Sequence, residues 1–367
     1  MHDKIFFLKT LLRHTARPSS LWHLGPPIKI KESQMPLYAR LKSALIATLY
    51  GASDSAAPAA TAVPVTLMRP EGARHYLLAA PDRVSCGKRP LVIVLHGAGA
   101  SARQVMGMAF PPSPLSMWLR IAEREQIVVA APDAGKGGWS DCFASAARVA
   151  NKDDVAFVSA IMNQAIAEND VDPERIYIIG VSRGAHMAYR LALEIPHRLA
   201  AFTAILAGMP PAGPAAAPKV ALSALIVGCT ADPLIPYHGG KYWYTLGFMA
   251  AVRSIEDSAH TWRQLAGLPD TPQVAAIARR QPQNKTFASS YFWGDAPDQL
   301  QVGLLKIENA GHAEPSITQR YPYLINRMVG RQNNDLEIAE LAWTFFKDKR
   351  AGLEVAQACA KECRRAG

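Results

Sequence analysis

The apolar run Ile176-Tyr177-Ile178-Ile179 stops at Gly180-Val181-Ser182-Arg183-Gly184, and a helix-like pattern begins at once. Ala185, Met187, Ala188, Leu191 and Ala192 recur there at helical spacing. Few folds admit this order of buried strand, serine between two glycines, and helix. Such a serine sits on a sharp, strained strand-to-helix turn, and its neighbours must be small so that other backbone can pass close by. Just upstream, Asp172-Pro173-Glu174-Arg175 reads as a turn that starts the strand. Ser182 is therefore the candidate nucleophile. The plainer alternative is a Gly-rich turn with a capping serine.

The rest of the chain has a matching rhythm. Strand candidates at 63–68, 75–79, 91–95, 127–131, 176–179, 201–206, 224–227 and 304–307 are interleaved with helical patterns. One helix candidate runs through Trp118, Leu119, Ile121 and Ala122, and another spans 153–168, with Asp153 and Asp154 favouring its positive N-terminus. The continuous apolar run 91–95 is what a sheet buried on both faces requires. Together these predict an α/β fold of right-handed βαβ units, with a mostly parallel central sheet and helices on both faces. One catalytic domain from about residue 61 to 350 holds every residue with chemistry in it. Residues 51–64, rich in Ala, Ser, Pro and Thr, read as a linker.

A net charge of +10 on 367 residues invites a nucleic-acid reading until its location is considered. Residues 1–70 carry nine Lys/Arg against three Asp/Glu, and residues 347–367 carry six against three. From chain totals of 40 and 30, this leaves 25 against 24 for the body. The excess is in the tails, no aromatic-interleaved basic stripe runs through the body, and nucleic acid is not an expected partner. The five cysteines (Cys86, Cys142, Cys229, Cys359 and Cys363) show no metal-ligand spacing. Their odd number leaves at least one free thiol, with Cys86–Cys142 one conceivable disulfide. No cofactor motif appears. No segment reaches the length of a membrane-spanning helix, so no integral membrane segment is expected.

Residues 1–60 form a basic N-terminal extension or an export segment. Within them, 35–60 has a basic start at Arg40 and Lys42, a short apolar run, and an Ala/Ser/Pro-rich end. Either Met35 is the true start of an exported protein, or the whole stretch is a basic extension. Residues 351–367 form a basic C-terminal tail.

A serine hydroxyl is a poor nucleophile near neutral pH. It needs a base, and the base needs an acid to fix its tautomer. For a serine on a strand-to-helix turn, the expected chain order is Ser, Asp or Glu, then His, each just after a strand end. The strand 224–227 leads into Gly228-Cys229-Thr230-Ala231-Asp232, and the strand 304–307 leads into Glu308-Asn309-Ala310-Gly311-His312. Asp232 and His312 are the acid and base; their plainer readings are a turn aspartate before Pro233 and a packing histidine. His238 follows Asp232 too soon, Asp133 precedes the serine, and His186 fits better as a hydrogen-bonded structural residue.

Two backbone N–H groups must hold a developing oxyanion, each worth about 2.7–4 kcal/mol. Arg183 supplies one, and Ala98, in the small-residue loop His96-Gly97-Ala98-Gly99-Ala100, supplies the other. His96 braces that loop. The Arg183 side chain either salt-bridges away from the pocket or favours substrates bearing a carboxylate. Trp139, Tyr237, Tyr242, Trp243 and Tyr244 are either an aromatic wall for substrate or core. Glu314 either touches the rim of the site or caps the next helix.

These residues resemble the α/β-hydrolase esterases related to polyhydroxybutyrate depolymerase, a group that includes feruloyl and acetylxylan esterases. The resemblance rests on residues 91–97, Gly138-Trp139-Ser140-Asp141-Cys142, Asp153-Asp154-Val155-Ala156-Phe157, the pentapeptide at 180–184, residues 230–237 with Gly239-Gly240, Trp262, and Gly311-His312. It runs collinearly from about residue 88 to 346. It implies the α/β-hydrolase fold, the triad Ser182–His312–Asp232, and a metal-free serine esterase that is often secreted or periplasmic, with a cytoplasmic location as the alternative. The expected partner is a small or oligomeric ester. Ala310-Gly311-His312-Ala313-Glu314 departs from the Gly-rich, Trp-containing histidine loop common in the group, which leaves the substrate class open. No carbohydrate- or polymer-binding module follows the domain, which favours a soluble ester. Rival readings are a peptidase or thioesterase on the same scaffold, or an inactive binding protein. The oligomeric state is not readable.

Overall fold

The computed structural model describes residues 59–82, 87–143, 152–211, 213, 217–245 and 248–352. Cys86, Cys359, Cys363, nearly all of the expected N-terminal extension and almost the whole basic tail lie outside these residues. Twelve strands are described: β1 (Ala62–Arg69), β2 (Gly72–Ala79), β3 (Arg89–Leu95), β4 (Val128–Pro132), β5 (Val171–Val181), β6 (Ala201–Ile205), β7 (Ser223–Cys229), β8 (Gly240–Thr245), β9 (Phe248–Val252), β10 (Gln273–Ala276), β11 (Phe287–Trp293) and β12 (Val302–Glu308). Ten of them form one sheet in the order β1-β2-β4-β3-β5-β6-β7-β12-β11-β10, and β8 and β9 pair as a separate antiparallel ribbon. The six central strands, β4 to β12 in that order, run parallel. The four edge strands pair antiparallel.

Burial on both faces explains the continuous apolar runs. Along β3, Leu91, Ile93 and Leu95 enter one core layer while Val92 and Val94 enter the other. The helices are α1 (Ala102–Val105), α2 (Trp118–Glu125), α3 (Asp154–Glu168), α4 (Arg183–Glu194), α5 (Ile255–Leu265), α6 (Tyr323–Val329) and α7 (Ile338–Phe346). Residues of α3, α4 and α5 pack in the first layer, and those of α1, α2 and α7 in the second. Each fully buried Leu, Ile or Val contributes about 1.5–3 kcal/mol, so side chains on both faces hold the sheet in place. The chain after β3 turns to one layer, and the chain after β5 to the other. Between the C-terminal ends of these two neighbours the loops diverge, which is where open α/β sheets form a ligand crevice.

Two expectations need correction. Asp172–Arg175 is not a turn ahead of the strand, because β5 already starts at Val171. The Asp172 carboxylate accepts the Glu174 amide at 3.1 Å, and a register shift against β3 between Arg89 and Leu91 absorbs the local kink inside the strand. Cys142 is not in a disulfide. It is a free thiol whose Sγ donates to the His186 carbonyl at 3.3 Å. Among the described residues no helix is long and apolar enough to cross a membrane.

Candidate functional site

The turn after β5 is held in a conformation that side chains rarely adopt. Ser182 has φ 56° and ψ −119° and stands immediately before α4. Its amide donates to the Ile205 carbonyl of β6 at 2.8 Å, which ties the turn to the next strand. The two glycines permit the close approach. A Cβ on Gly180 would lie 2.1 Å from the Gly184 carbonyl oxygen, and one on Gly184 would lie 2.2 Å from the Leu95 oxygen. Neither distance is compatible with any other residue, and both explain the pentapeptide spacing.

Asp232 and His312 leave the C-terminal ends of β7 and β12, which are neighbours in the sheet. Their side chains meet, with His312 Nδ1 donating to Asp232 Oδ2 at 2.6 Å. The other carboxylate oxygen accepts the Leu234 and Ile235 amides at 2.8 and 2.9 Å. Asp232 is therefore an oriented, buried carboxylate with a side chain only 2% exposed. Burial alone would lower the His312 pKa. The Asp232 charge and hydrogen bond, helped by Glu314, outweigh burial and hold it above the ordinary histidine value. With Nδ1 donating, Nε2 is left as the acceptor. Ser182 Oγ holds no hydrogen bond among the described residues. In free enzymes such a link is often long and tightens when substrate binds.

The loop after β3 passes against the serine, since a Cβ on Gly97 would touch Ser182 Cβ and the Val181 oxygen at 3.4 Å. His96 braces this loop. Its Nδ1 donates to the Gly97 carbonyl at 2.8 Å and its Nε2 accepts the Ala134 amide at 3.1 Å, which fixes a neutral ring. Burial lowers its pKa in the same sense. Among the described residues neither the Ala98 nor the Arg183 amide donates to another group of the protein. A cavity of about 330 Å³ lies between residues 96–100 and the glycines Gly135, Gly137 and Gly138, with Trp139 and Arg183 also lining it.

The Arg183 side chain turns into a salt bridge. Its Nε donates to Asp141 Oδ2 at 3.2 Å and its Nη2 to the Trp139 carbonyl at 3.0 Å and the Tyr244 hydroxyl at 2.5 Å. The guanidinium also stacks over the Tyr244 ring at 4.5 Å, and Tyr244 in turn donates to Asp141. A Cβ on Gly138 would lie 2.5 Å from Arg183 Nη1, so the guanidinium fills the space under the cavity loop. Lys152 donates to the Ala134 and Gly138 carbonyls and further fastens that loop.

The five aromatics do not assemble into a wall. Trp139 is 1% exposed and donates its indole N–H to the His96 carbonyl at 2.8 Å. Tyr237 is buried and donates to Glu256 at 3.0 Å. Tyr242 and Tyr244 alternate along β8 with Trp243, facing inward while Trp243 is 60% exposed. His186 is fully buried, with a long 3.5 Å contact to Tyr242 and no partner on Nε2 among the described residues. Burial, then the charges of Arg183 and His312, push its pKa down to about 3, so it stays neutral. Glu314 neither lines the cavity nor caps α6. It is buried and accepts from Ser113 and Tyr321. The Asp141 partner of Arg183 was missed from sequence, since nothing local signals a contact across 42 residues.

A family model described as phospholipase/carboxylesterase matches residues 83–265, about half of the chain. That span includes Ser182 and Asp232 and ends before His312. The putative esterase NocK of Nocardia uniformis subsp. tsuyamanensis is 33% identical over 153 residues, covering 41% of this chain and 42% of NocK. The probable feruloyl esterase C of Aspergillus flavus is 26% identical over 171 residues, covering 46% of this chain and 58% of the relative. A bifunctional acetylxylan esterase/xylanase of Neocallimastix patriciarum is 25% identical over 229 residues, covering 62% and 29%. The chain spans about half the length of the first two of these relatives and less of the third. The solved acetyl xylan esterase from Aspergillus awamori superposes with a TM-score of 0.47 at 14% identity, covering 72% of this chain and 98% of that one.

Proposed function

Because this chain belongs to the α/β-hydrolases, with distant kinship to feruloyl and acetylxylan esterases, we propose that it is a serine esterase acting through an acyl-enzyme. Ser182 Oγ attacks the ester carbonyl carbon while His312 Nε2 takes its proton, and Asp232 holds the Nδ1–H and the charge that forms. The Arg183 and Ala98 N–H groups hold the oxyanion. The tetrahedral intermediate collapses, His312 returns the proton to the leaving alcohol, and the acyl group stays on Ser182. Water then attacks with His312 again as base, releasing the acid and restoring the hydroxyl.

The observation that carries this reading is the 2.6 Å Asp232–His312 contact beyond β7 and β12, on the sheet edge where β5 delivers Ser182. The proposed substrates are hydroxyalkanoate oligomers or aromatic and acetyl esters of carbohydrates. Export to the periplasm or medium is part of the proposal, resting on the composition of residues 35–60. Hydrolysis of p-nitrophenyl esters of graded chain length, methyl ferulate, acetylated xylo-oligosaccharide and a soluble hydroxybutyrate oligomer tests it. The expected result is turnover of at least one ester by the wild type and none by Ser182→Ala. Equal rates in both proteins, or no turnover of any ester, would overturn it.

A further inference from the structure

Glu314 stands two residues past His312 on the same loop and is 4% exposed. Its Oε1 accepts from Ser113 Oγ and its Oε2 from the Tyr321 hydroxyl, both at 2.9 Å. Both partners are donors. Ser113 Oγ already accepts the Leu115 amide at 3.1 Å, which directs its own proton to Glu314. Burial and the Glu314 charge push the Tyr321 hydroxyl far above its usual range, so it keeps its proton. Both hydroxyl protons are thus directed at the Glu314 carboxyl group. The loop that carries it is pinned as well, by Gly311 N–H to the Arg331 carbonyl and by Gln332 Nε2 to the Glu314 carbonyl, each at 2.8 Å.

Hydroxyl groups solvate a charge without cancelling it. Among the described residues the buried Asp141 and Asp154 pair with Arg183 and Arg74, whereas the buried Glu314, Asp335 and Glu337 form no ion pair with a lysine or arginine, and of these three Glu314 is the one on the His312 loop. A buried carboxylate without a counter-charge is expensive to keep. The cation that arises beside it is the imidazolium His312 carries while a proton passes from Ser182 to the leaving group. Resting on the esterase reading above, we propose that Glu314, held by Ser113 and Tyr321, is a positioning residue that stabilises the charged state of His312 alongside Asp232. Asp232 orients the ring by direct contact, and Glu314 adds a fixed field from the histidine's own loop.

The sign of the effect is unambiguous because the surroundings of His312 are simple. Asp232 faces it from the end of β7 and Glu314 from its own loop, both anionic. His186 faces it from α4 and is neutral. Cys229, at the end of β7 near both carboxylates, is a thiol whose pKa is pushed up by burial and by them. Removing Glu314 therefore lowers the His312 pKa.

The test is the pH dependence of kcat/KM between about pH 5 and 9 on p-nitrophenyl acetate, together with an NMR titration of the His312 imidazole. Wild type, Glu314→Gln and Ser113→Ala are compared, with circular dichroism confirming the fold. In Glu314→Gln the His312 titration and the acid limb both move down by about one pH unit, and plateau kcat falls roughly tenfold with KM nearly unchanged. Ser113→Ala keeps the charge and leaves the limb within about 0.3 unit. A folded Glu314→Gln whose His312 titration and acid limb match the wild type would overturn this proposal and leave the esterase reading standing. Absence of turnover in the wild type would instead strike the esterase reading, while the titration still reads the coupling. If Glu314→Gln does not fold, the reciprocal measurement decides: the Glu314 carboxyl titrates about one unit higher in His312→Gln than in wild type, and an unmoved value overturns the proposal.

Discussion

Replacing Asp232 with asparagine exchanges one oxygen for an NH2 group and leaves the size of the side chain unchanged. In the native chain Oδ1 holds the Leu234 and Ile235 amides at 2.8 and 2.9 Å, and Oδ2 holds His312 Nδ1–H at 2.6 Å. The asparagine oxygen must keep the two amides, so its NH2 faces His312. A donor there obliges Nδ1 to accept, and the ring proton moves to Nε2, where it prevents the ring from acting as a base. The expected loss in kcat is on the order of 10⁴, the size a wrong tautomer causes in a triad of this kind, or about 5.4 kcal/mol. KM should change little. The Asp232 charge is also the chief influence raising the His312 pKa against burial, so what remains of the acid limb should shift to lower pH. Because the folded-state pKa of His312 is raised, its protonation stabilises the fold. That stability is fully present below the unfolded value near 6.5 and is lost as pH rises through the folded value. The gap in melting temperature between wild type and variant should therefore be widest at about pH 5–6 and narrow on the alkaline side. Initial rates on p-nitrophenyl acetate across this range, with melting curves in parallel, read both effects. An asparagine variant within about tenfold of wild type, with its acid limb unmoved, would refute the reasoning and return Asp232 to the role of a turn residue before Pro233.

Asp141→Asn leaves the Arg183 guanidinium buried without its counter-charge and should lower stability by about 3–5 kcal/mol, measured by urea unfolding; an unchanged midpoint would show that the clamp is dispensable. Tyr244→Phe, which removes the hydroxyl bonded to Asp141 and Arg183, should cost about 1–3 kcal/mol, while Trp243→Ala on the outer face of the same strand should stay within about 0.5 kcal/mol. Gly184→Ala places a methyl 2.2 Å from the Leu95 oxygen and should cost at least about 3 kcal/mol or abolish soluble expression. A normal melting temperature for that variant would contradict the close packing of the turn.

The sheet was readable because its central strands are buried on both faces, and that requires unbroken apolar runs such as 91–95. The serine turn was readable because two steric contacts, at Gly180 and Gly184, leave no alternative residue. The β8–β9 ribbon was not legible, because the in-out alternation of Tyr242, Trp243 and Tyr244 is too short a run to tell a strand from a cluster of aromatics. The Asp172-Pro173 pair looked like a boundary because it kinks the chain, yet the neighbouring strand accommodates the kink by a register shift. The partners of Arg183 and Glu314 left no local trace. Asp141 lies 42 residues from Arg183, and Ser113 lies 201 residues from Glu314. Side-chain hydrogen bonds between distant segments follow from packing and not from any short pattern.

The central claim is that Ser182 becomes acylated. Incubation with a p-nitrophenyl ester, acid quenching and mass spectrometry of the digested protein measures this directly. The account predicts one acyl group on the peptide containing Ser182, released on standing at neutral pH and absent from Ser182→Ala. Ester turnover without a covalent adduct, or an adduct on any other residue, would contradict it.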